Sequence, residues 1–512
     1  MMTSITPSDS RAFLTRLHVR KWLRYLAVIA SAILFSAAFP PHNLGWVAWF
    51  ALVPFFFAIH GTNRGQTYIL STIWFLLFSV FFVDYYFLVR SPIFILIIVT
   101  GLTFQIIVVS ELQLLSSKYG RWGWLLFSGL WVSIWFLISF LVGMVYPLSP
   151  DLPFPSFANT QWLYPVTLQI LPFVGQFGLA LLVILVNKGL AEIVLRRRTR
   201  QLILPLAVIG ILLLLNIGWG TYYLSADNPV KTVGVAILPT GGNPGSDGDA
   251  ATMTRDFVSY ADNNRVLPNG SIIPEIGIIA WAEIPVGDIN VEDSKNPVSD
   301  LSGELQKYLV ADFYKTQADG TYLNVAGIFG PEGMLLAQNA KRKIPPIVEG
   351  STASDKDTPT DVVATPWGRM STLICYDTFF PDVVRKAVTQ GVDFFVVPAN
   401  PPSESVPRFT ALHLSQTIFR AVENHTAIVL SYSNGISALI DSNGRLLLHE
   451  SLNPGKYMKN SVAMSGALPV CSGGTFYSRW GDAFIWAVLF TSIAYAIGAK
   501  IWQIRKGSQI GQ

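Results

Sequence analysis

Charge is scarce in this chain. Only 13% of its 512 residues are Asp, Glu, Lys or Arg, against about 25% in ordinary soluble domains. That deficit excludes a wholly soluble reading, because too little of the surface could be charged. Cysteine is nearly absent: Cys375 and Cys471 are the only two, which rules out a disulfide-stapled scaffold. The six histidines, His18, His42, His60, His413, His425 and His449, show no metal-ligand spacing, so no metal site is expected. No glycine-rich phosphate loop opens a helix after a strand, and no Gly-x-Ser-x-Gly elbow appears. The net charge of +4 includes one short basic run, "RRRTR" at Arg196–Arg200, too little for a nucleic-acid surface.

What the chain has instead is apolar sequence, unevenly spread. Hydrophobic residues make up 51% of it, with 33 Phe and 15 Trp. A spanning helix needs roughly 20 mainly apolar residues. Candidate spans lie near 22–40, 44–61, 68–89, 91–112, 122–146, 164–194, 202–224 and 482–503. Residues 226–474 read as a soluble domain inserted before the last span. The expected organisation is therefore a helical membrane bundle over 1–225, an α/β domain over 226–474, and a closing helix with a short tail over 475–512. The first helix reads as an uncleaved anchor, since its basic leader is long and many spans follow.

Basic residues mark cytoplasmic loops. Arg11, Arg16, Arg20, Lys21 and Arg24 precede the first span; Arg64, Lys118, Arg121, "RRRTR", Arg505 and Lys506 fall in later even-numbered loops or the tail. The 146–163 loop contains no Lys or Arg. Eight spans with both ends in the cytoplasm fit this pattern, and they put the α/β domain on the extracytoplasmic side.

Within that domain, "KTVGVAILP", "IGIIAWAEIP", "YLNVAGIFG", "MSTLICYD", "VDFFVVPAN", "TAIVLSYSN" and "ISALIDSNGRLLL" read as strands. "DLSGELQKYLVADFYKTQ", "PDVVRKAVTQG" and "LHLSQTIFRAVENH" read as helices. "DSNGR" is an Asn-Gly turn between apolar runs, a hairpin signal. The alternation predicts a layered α/β domain.

Chemistry has few candidates there. Cys375 ends an apolar strand, where a cysteine is either a small buried hydrophobe, a partner for Cys471, or a nucleophile. A nucleophile needs a base, a cation and hydrogen-bond donors for the oxyanion. Glu283 finishes "IIAWAEIP" and reads as a turn residue or a base. Lys341 and Lys343 precede a rigid Ile-Pro-Pro run that Glu349 closes; they read as solvated or as held in place.

Taken in order, Glu…Lys…Cys resembles the carbon–nitrogen hydrolase (nitrilase) superfamily. With the membrane bundle, the chain resembles that superfamily's membrane-anchored family, the apolipoprotein N-acyltransferases. "WAEIP" resembles the Trp-x-Glu segment and implies Glu283 as base. "KRKIPPIVEG" resembles Lys-x-x-Leu-Val-Pro-Phe-Gly-Glu and implies Lys341 as the catalytic lysine and Glu349 as an accessory glutamate. "LICYDTFFPD" resembles Ile-Cys-Tyr-Glu followed by Phe-Pro and implies Cys375 as nucleophile, with Tyr376, Asp377 and Asn400 in support. "FRAVENHTAIV", "SNGISALIDSNGR", "TFYSRWGD" and "AFPPHNLGWVAWFALVPFF" also resemble segments of the family. The sequence departs from the pattern at three places. Asp377 replaces a glutamate, "PANPPSES" (Pro398–Ser405) keeps only Asn400 of a Ser-Asn-Asp-x-Trp-Phe loop, and "LPTGGNPGSDGD" lacks a tryptophan.

The resemblance implies a nitrilase-like α-β-β-α sandwich on a multi-span helical bundle in a bacterial cytoplasmic (inner) membrane. It implies a monomer with no cofactor and no nucleic-acid partner. The implied reaction has two steps. Cys375 takes an acyl chain from a phospholipid, then passes it from a thioester to the N-terminal amine of an S-diacylglyceryl-cysteine lipoprotein. The rival readings are a membrane-tethered amidase or nitrilase-type hydrolase and a non-enzymatic membrane scaffold.

Overall fold

The computed structural model describes residues 21–80, 92–145, 156–195, 199–225, 231–239, 247–266, 272–283, 296–345, 352–353, 358–400, 407–452 and 462–510. Five described helices are long and apolar enough to cross a bilayer: Ile98–Gly120, Gly123–Met144, Leu171–Leu195, Ile203–Ser225 and Ala483–Trp502. Trp22–Ala37 and Gly45–Ile59 are shorter apolar helices, and Arg64–Val80 opens the third candidate span.

Two candidate spans are more broken than expected. The second is a 3-10 turn, Gly45–Trp49, followed by the helix Val53–Ile59, with Pro54 in its first turn. Backbone groups freed at such a break need partners in an apolar setting. Asn187 supplies them: its Nδ2 donates to the Ala48 carbonyl at 2.7 Å and its Oδ1 accepts from the Leu52 N–H at 2.8 Å. The sixth span divides into Pro165–Leu168 and Leu171–Leu195. Gly175, at φ +62°, interrupts the latter. Only glycine adopts that backbone conformation routinely.

The α/β domain holds two sheets. Strands are numbered in chain order: β1 Lys231–Leu238, β2 Ile276–Trp281, β3 Tyr308–Thr316, β4 Tyr322–Phe329, β5 Leu335–Ala340, β6 Thr352–Ala353, β7 Val363–Thr365, β8 Gly368–Thr372, β9 Phe394–Ala399, β10 Ala427–Tyr432, β11 Ala438–Ile440, β12 Leu446–His449 and β13 Met464–Val470. The first sheet runs β13-β1-β2-β3-β4-β5, with β6 beside β4; the second runs β12-β11-β10-β9-β8-β7. Each has a parallel centre, β1-β2-β3 and β8-β9-β10, flanked by antiparallel strands.

Alternation along the strands explains the layering. Val233, Val235, Ile278, Ala280 and Val310 of one sheet meet Met370, Phe394, Val396, Ala427 and Val429 of the other in one buried core. Each fully buried Val, Ile or Phe contributes roughly 1.5–3 kcal/mol. The opposite face of the first sheet packs under the helices Asp247–Asn263 and Pro297–Leu305 through Val258, Val298 and Leu301. The opposite face of the second, with Phe395, Val397, Ile428 and Leu430, packs under Pro381–Thr389 and Pro407–Asn424. The result is α-β-β-α. That last core continues into the membrane bundle through Leu168, Leu171 and Phe177.

One predicted helix is corrected. "DLSGELQKYLVADFYKTQ" holds the end of the Pro297–Leu305 helix and then β3. Gln306 turns left-handed at φ +53° and ends the helix. Beyond it, "YLVADFYKT" is rich in aromatic and β-branched residues, which favours a strand. "MSTLICYD" is shorter than read: β8 stops at Thr372, and Cys375–Phe379 is a 3-10 turn. The Asn-Gly hairpin joins β11 to β12, with the Gly444 N–H bonded to the Asp441 carbonyl.

Candidate active site

Residues just past the carboxyl ends of parallel strands line the crevices of α/β sheets. Glu283 follows β2, Cys375 follows β8, and Asn400 follows β9. Lys341 follows β5, an antiparallel edge strand whose last residue pairs with Val325 of β4.

Glu283 and Lys341 are an ion pair. Lys341 Nζ donates to Glu283 Oε1 at 2.7 Å, with the two side chains only 1% and 2% exposed. Burying a charge is costly unless it is paired and hydrogen-bonded. The other bonds to Glu283 answer that cost. Asn324 Nδ2 donates to the same Oε1 at 2.9 Å, and the Asn400 N–H donates to Oε2 at 2.7 Å. Asn324 also accepts the Lys341 N–H through its carbonyl at 2.8 Å. One residue of β4 thus fixes both members of the pair.

Cys375 is buried and takes φ +43°, a left-handed backbone that is uncommon for a residue with a side chain. Its thiol lies 3.8 Å from the Asn400 carbonyl. Asn400 therefore touches Glu283 with its N–H and Cys375 with its oxygen. The turn around Cys375 is braced from two sides. Below it, His413 Nε2 donates to the Cys375 carbonyl at 2.8 Å, and Thr378 Oγ1 donates to the same oxygen at 3.1 Å. His413 Nδ1 therefore accepts from the Tyr432 hydroxyl. The imidazole also stacks on Phe379 with centroids 5.0 Å apart. Burial pulls the His413 pKa down to about 4, with Lys341 adding to the shift and the Cys375 carbonyl opposing it.

On the other side stands Asp377. Its Oδ1 accepts from the N–H groups of Arg342 and Lys343 at 3.1 and 2.8 Å, and its Oδ2 accepts from the Ile374 N–H at 3.2 Å. This carboxylate ties the Lys341 segment to the Cys375 turn. Burial pushes its pKa up to about 6, against the pull of those amides and of Lys341. Tyr376 is buried, its ring 5.3 and 5.1 Å from those of Phe379 and Phe380. Asn400 accepts from the Ser433 hydroxyl at 2.6 Å through Oδ1. Glu349 lies outside the described residues. Lys343 does not join the Glu283 pair; its Nζ sits 4.6 Å over the Phe380 ring.

The sequence offered no sign of Asn324, Thr378 or His413 as parts of this site. Asn324 sits near the start of a strand whose far end is apolar. His413 was one histidine without metal spacing, and nothing in a helical period tells a buried polar residue from a solvated one.

A Cys, a Glu and a Lys at strand ends of a two-sheet α-β-β-α domain, joined to a helical membrane bundle, suit acyl chemistry on a lipid-bound substrate. The Carbon-nitrogen hydrolase family model matches residues 271–458. The Apolipoprotein N-acyltransferase N-terminal domain model matches residues 31–189. An apolipoprotein N-acyltransferase of Geobacter metallireducens is 23% identical over 500 residues, covering 90% of this chain and 92% of the relative. One of Allorhizobium ampelinum is 26% identical over 319 residues, covering 56% of this chain and 59% of the relative. Among solved structures, a nitrilase-superfamily protein of Saccharomyces cerevisiae matches 48% of this chain and 93% of its own, at 16% identity and TM-score 0.37. The α/β half is thus an enzyme domain of the carbon–nitrogen hydrolase superfamily. The chain as a whole belongs to the apolipoprotein N-acyltransferase family.

Proposed function

We propose that the chain carries out its family's activity, the N-acylation of apolipoproteins, with Glu283, Lys341 and Cys375 as the reacting groups and a membrane phospholipid as acyl donor. The observation that carries this reading is the buried Lys341–Glu283 pair, joined through the Asn400 backbone to the Cys375 thiol. In the first step Glu283 takes the thiol proton and the Cys375 sulfur bonds to the ester carbonyl carbon. Lys341 and a backbone N–H hold the oxyanion. Collapse breaks the carbon–oxygen bond, Glu283 returns its proton to the leaving oxygen, and lysophospholipid departs. In the second step the N-terminal amine of a diacylated cysteine attacks the thioester. Glu283 accepts the amine proton and delivers it to the departing sulfur, so an amide forms and the thiol is restored. Tyr376, Asp377 and the Asn400 backbone position these groups, and Glu349 assists.

This chemistry suits a monomer of eight spans in a bacterial cytoplasmic membrane, with both termini inside and residues 226–474 outside. Both lipid substrates then reach the site from the outer leaflet. A thioester shielded from bulk water can wait for an amine.

The test is purified full-length protein in detergent, given labelled phospholipid. A stable labelled thioester at Cys375 is expected, discharged on addition of a diacylated N-terminal cysteine peptide. Free fatty acid released without acceptor, as fast as the enzyme acylates, would make the protein a hydrolase and overturn the reading.

A further inference from the structure

Both substrates in the proposed reaction carry a diacylglyceryl group, so the enzyme must tell donor from acceptor by something else. The donor alone has a phosphate. A cavity of about 280 Å³ lies where the Gly123–Val145 helix meets the α/β domain. One wall is apolar, with Phe136, Phe140 and Met144. Phe140 and Met144 are 44% and 71% exposed, as residues facing lipid would be. The other wall carries two cations, Lys343 and Arg385.

Among the described residues, neither cation has a hydrogen-bonded carboxylate partner. Lys343 Nζ stands 3.8 Å from Asp382, whose carboxylate is 48% exposed, a separation at which a solvated pair gains little. Arg385 donates one Nη1 bond to the Ser478 carbonyl at 3.4 Å, long for a hydrogen bond. Gly481, at φ +55°, leaves room beside the guanidinium, since a Cβ there would lie 3.2 Å from Arg385 Nε. The remaining carboxyl in the lining, Asp482, accepts from the Tyr477 hydroxyl at 3.0 Å. Burial raises its pKa, and the charges of Arg420 and Arg385 oppose that shift.

The cavity also adjoins the nucleophile's own segment. Phe380, in its lining, follows the Cys375–Phe379 turn, and the Lys343 N–H is bonded to Asp377 within that turn. A phospholipid's ester carbonyl is only a few bonds from its phosphate, so a phosphate fixed beside this turn brings an ester toward Cys375.

We propose that this cavity is the donor's headgroup site, in which Lys343 and Arg385 hold the phosphate of a bilayer phospholipid while its chains lie along Phe136, Phe140 and Met144. The proposal rests on the phospholipid-donor reading above and adds the basis of its selectivity. Arg and Lys bind phosphate through charge-assisted bonds, and the diacylglyceryl group of the acceptor carries no phosphate for these two cations.

The test compares two donors with identical chains, dioleoylphosphatidylglycerol and dioleoylglycerol. The rate of Cys375 thioester formation is read by intact-protein mass spectrometry at donor concentrations below saturation. Wild type is expected to favour the phospholipid. Lys343→Gln with Arg385→Gln is expected to shrink that preference tenfold or more, and Arg385→Lys to keep part of it. A preference unchanged in the double variant overturns the proposal, whether both rates hold or both fall together. Absence of a thioester from either donor in wild type would instead overturn the phospholipid-donor reading, and this inference with it.

Discussion

The backbone N–H of Asn400 donates to Glu283 Oε2 at 2.7 Å. Its carbonyl faces the Cys375 thiol at 3.8 Å, so the contact between base and nucleophile runs through main-chain atoms. The Asn400 side chain points its Oδ1 at Ser433 instead. The two residues should therefore respond differently to substitution. Glu283→Gln keeps the shape but removes the proton acceptor, and is expected to slow thioester formation by about 10²- to 10⁴-fold. Asn400→Ala keeps both backbone groups and is expected to cost only a few-fold. Single-turnover acylation with labelled phospholipid checks both. Equal losses in the two variants would mean that the Asn400 side chain, not its backbone, is what matters.

Asn324 is the residue through which β4 controls both charges. It donates to Glu283 and accepts from the Lys341 backbone. A hydrogen bond to a charged group is worth about 1.5–3 kcal/mol, which corresponds to roughly 10- to 100-fold in rate. Asn324→Ala is expected to lose that much in acylation. Asn324→Asp should be worse, because it sets a second carboxylate against Glu283. Acylation by Asn324→Asp at or above the alanine variant's level would show that Glu283 is not held as an anion by this contact.

Much of this arrangement was legible in the sequence, for identifiable reasons. Cys375 and Glu283 each end an apolar run, where a rare cysteine or a carboxylate stands out; Lys341 was marked instead by the rigid Ile-Pro-Pro run after it. Glu283 and Cys375 follow parallel strands, β2 and β8, whereas Lys341 arrives at the end of the antiparallel strand β5. What holds them was legible only in part: the family resemblance pointed to Asp377 and Asn400, but not to Asn324, Thr378 or His413, nor to how any of them bonds. Asp377 gathers three amides from two segments, a relationship fixed by tertiary closure and invisible to spacing. The same holds for β3, whose strand character emerges only after Gln306 breaks the helix before it. In the membrane half, hydropathy marked the apolar segments. It did not register the breaks near Leu52 and Gly175, because a kinked apolar segment has the composition of a straight one.

His413 gives a pH signature. Its Nε2–H bonds to the Cys375 carbonyl and its Nδ1 accepts from Tyr432, so the folded state needs the neutral ring. Its pKa is about 4 in the fold, against an ordinary value near 6.5. A depressed pKa means the unfolded chain takes the proton first. The stability this ring contributes is complete above about 6.5 and is lost as pH falls toward 4. Asp377 runs the other way: with its pKa raised to about 6, its contribution is complete below its ordinary pKa and is lost as pH rises through 6. The difference between wild type and His413→Gln isolates the imidazole. Between pH 7 and pH 4.5, the thermal midpoint of wild type is expected to fall further than that of the variant. Parallel falls would mean that His413 is protonated in the fold.

The proposed extracytoplasmic placement of the α/β domain rests on where the basic residues lie. Reporter fusions after Leu224 and after Gln512 are expected to read extracytoplasmic and cytoplasmic, respectively. A cytoplasmic reading after Leu224 would separate the α/β domain from lipoproteins exposed on the outer leaflet, and the proposed acceptor would have to be abandoned.

Gly175 joins the two halves of the molecule. Its left-handed backbone, at φ +62°, turns the Gln176 N–H toward Glu423 Oε1 at 3.0 Å. Glu423 is itself buried against Arg420, whose Nε lies 2.9 Å from Oε2, and Arg420 Nη2 donates to Gln176 Oε1 at 3.1 Å. The helix Pro407–Asn424 of the α/β domain is thereby pinned to a kink in a membrane helix. A Cβ at Gly175 would stand 2.4 Å from the Tyr477 ring, so Gly175→Ala adds a clash to a strained backbone. Gly210, within the helix Thr199–Ser225, has nothing within 4 Å of an added Cβ. There alanine suits the helix better than glycine by about 1 kcal/mol. The same substitution should therefore have opposite signs at the two positions: Gly175→Ala lowers the thermal midpoint of the purified protein, and Gly210→Ala leaves it unchanged or raises it slightly. Glu423→Ala, which leaves Arg420 buried without its carboxylate, is expected to cost about 3–5 kcal/mol. Full stability in Gly175→Ala would mean that the kink is not what docks the α/β domain on the bundle.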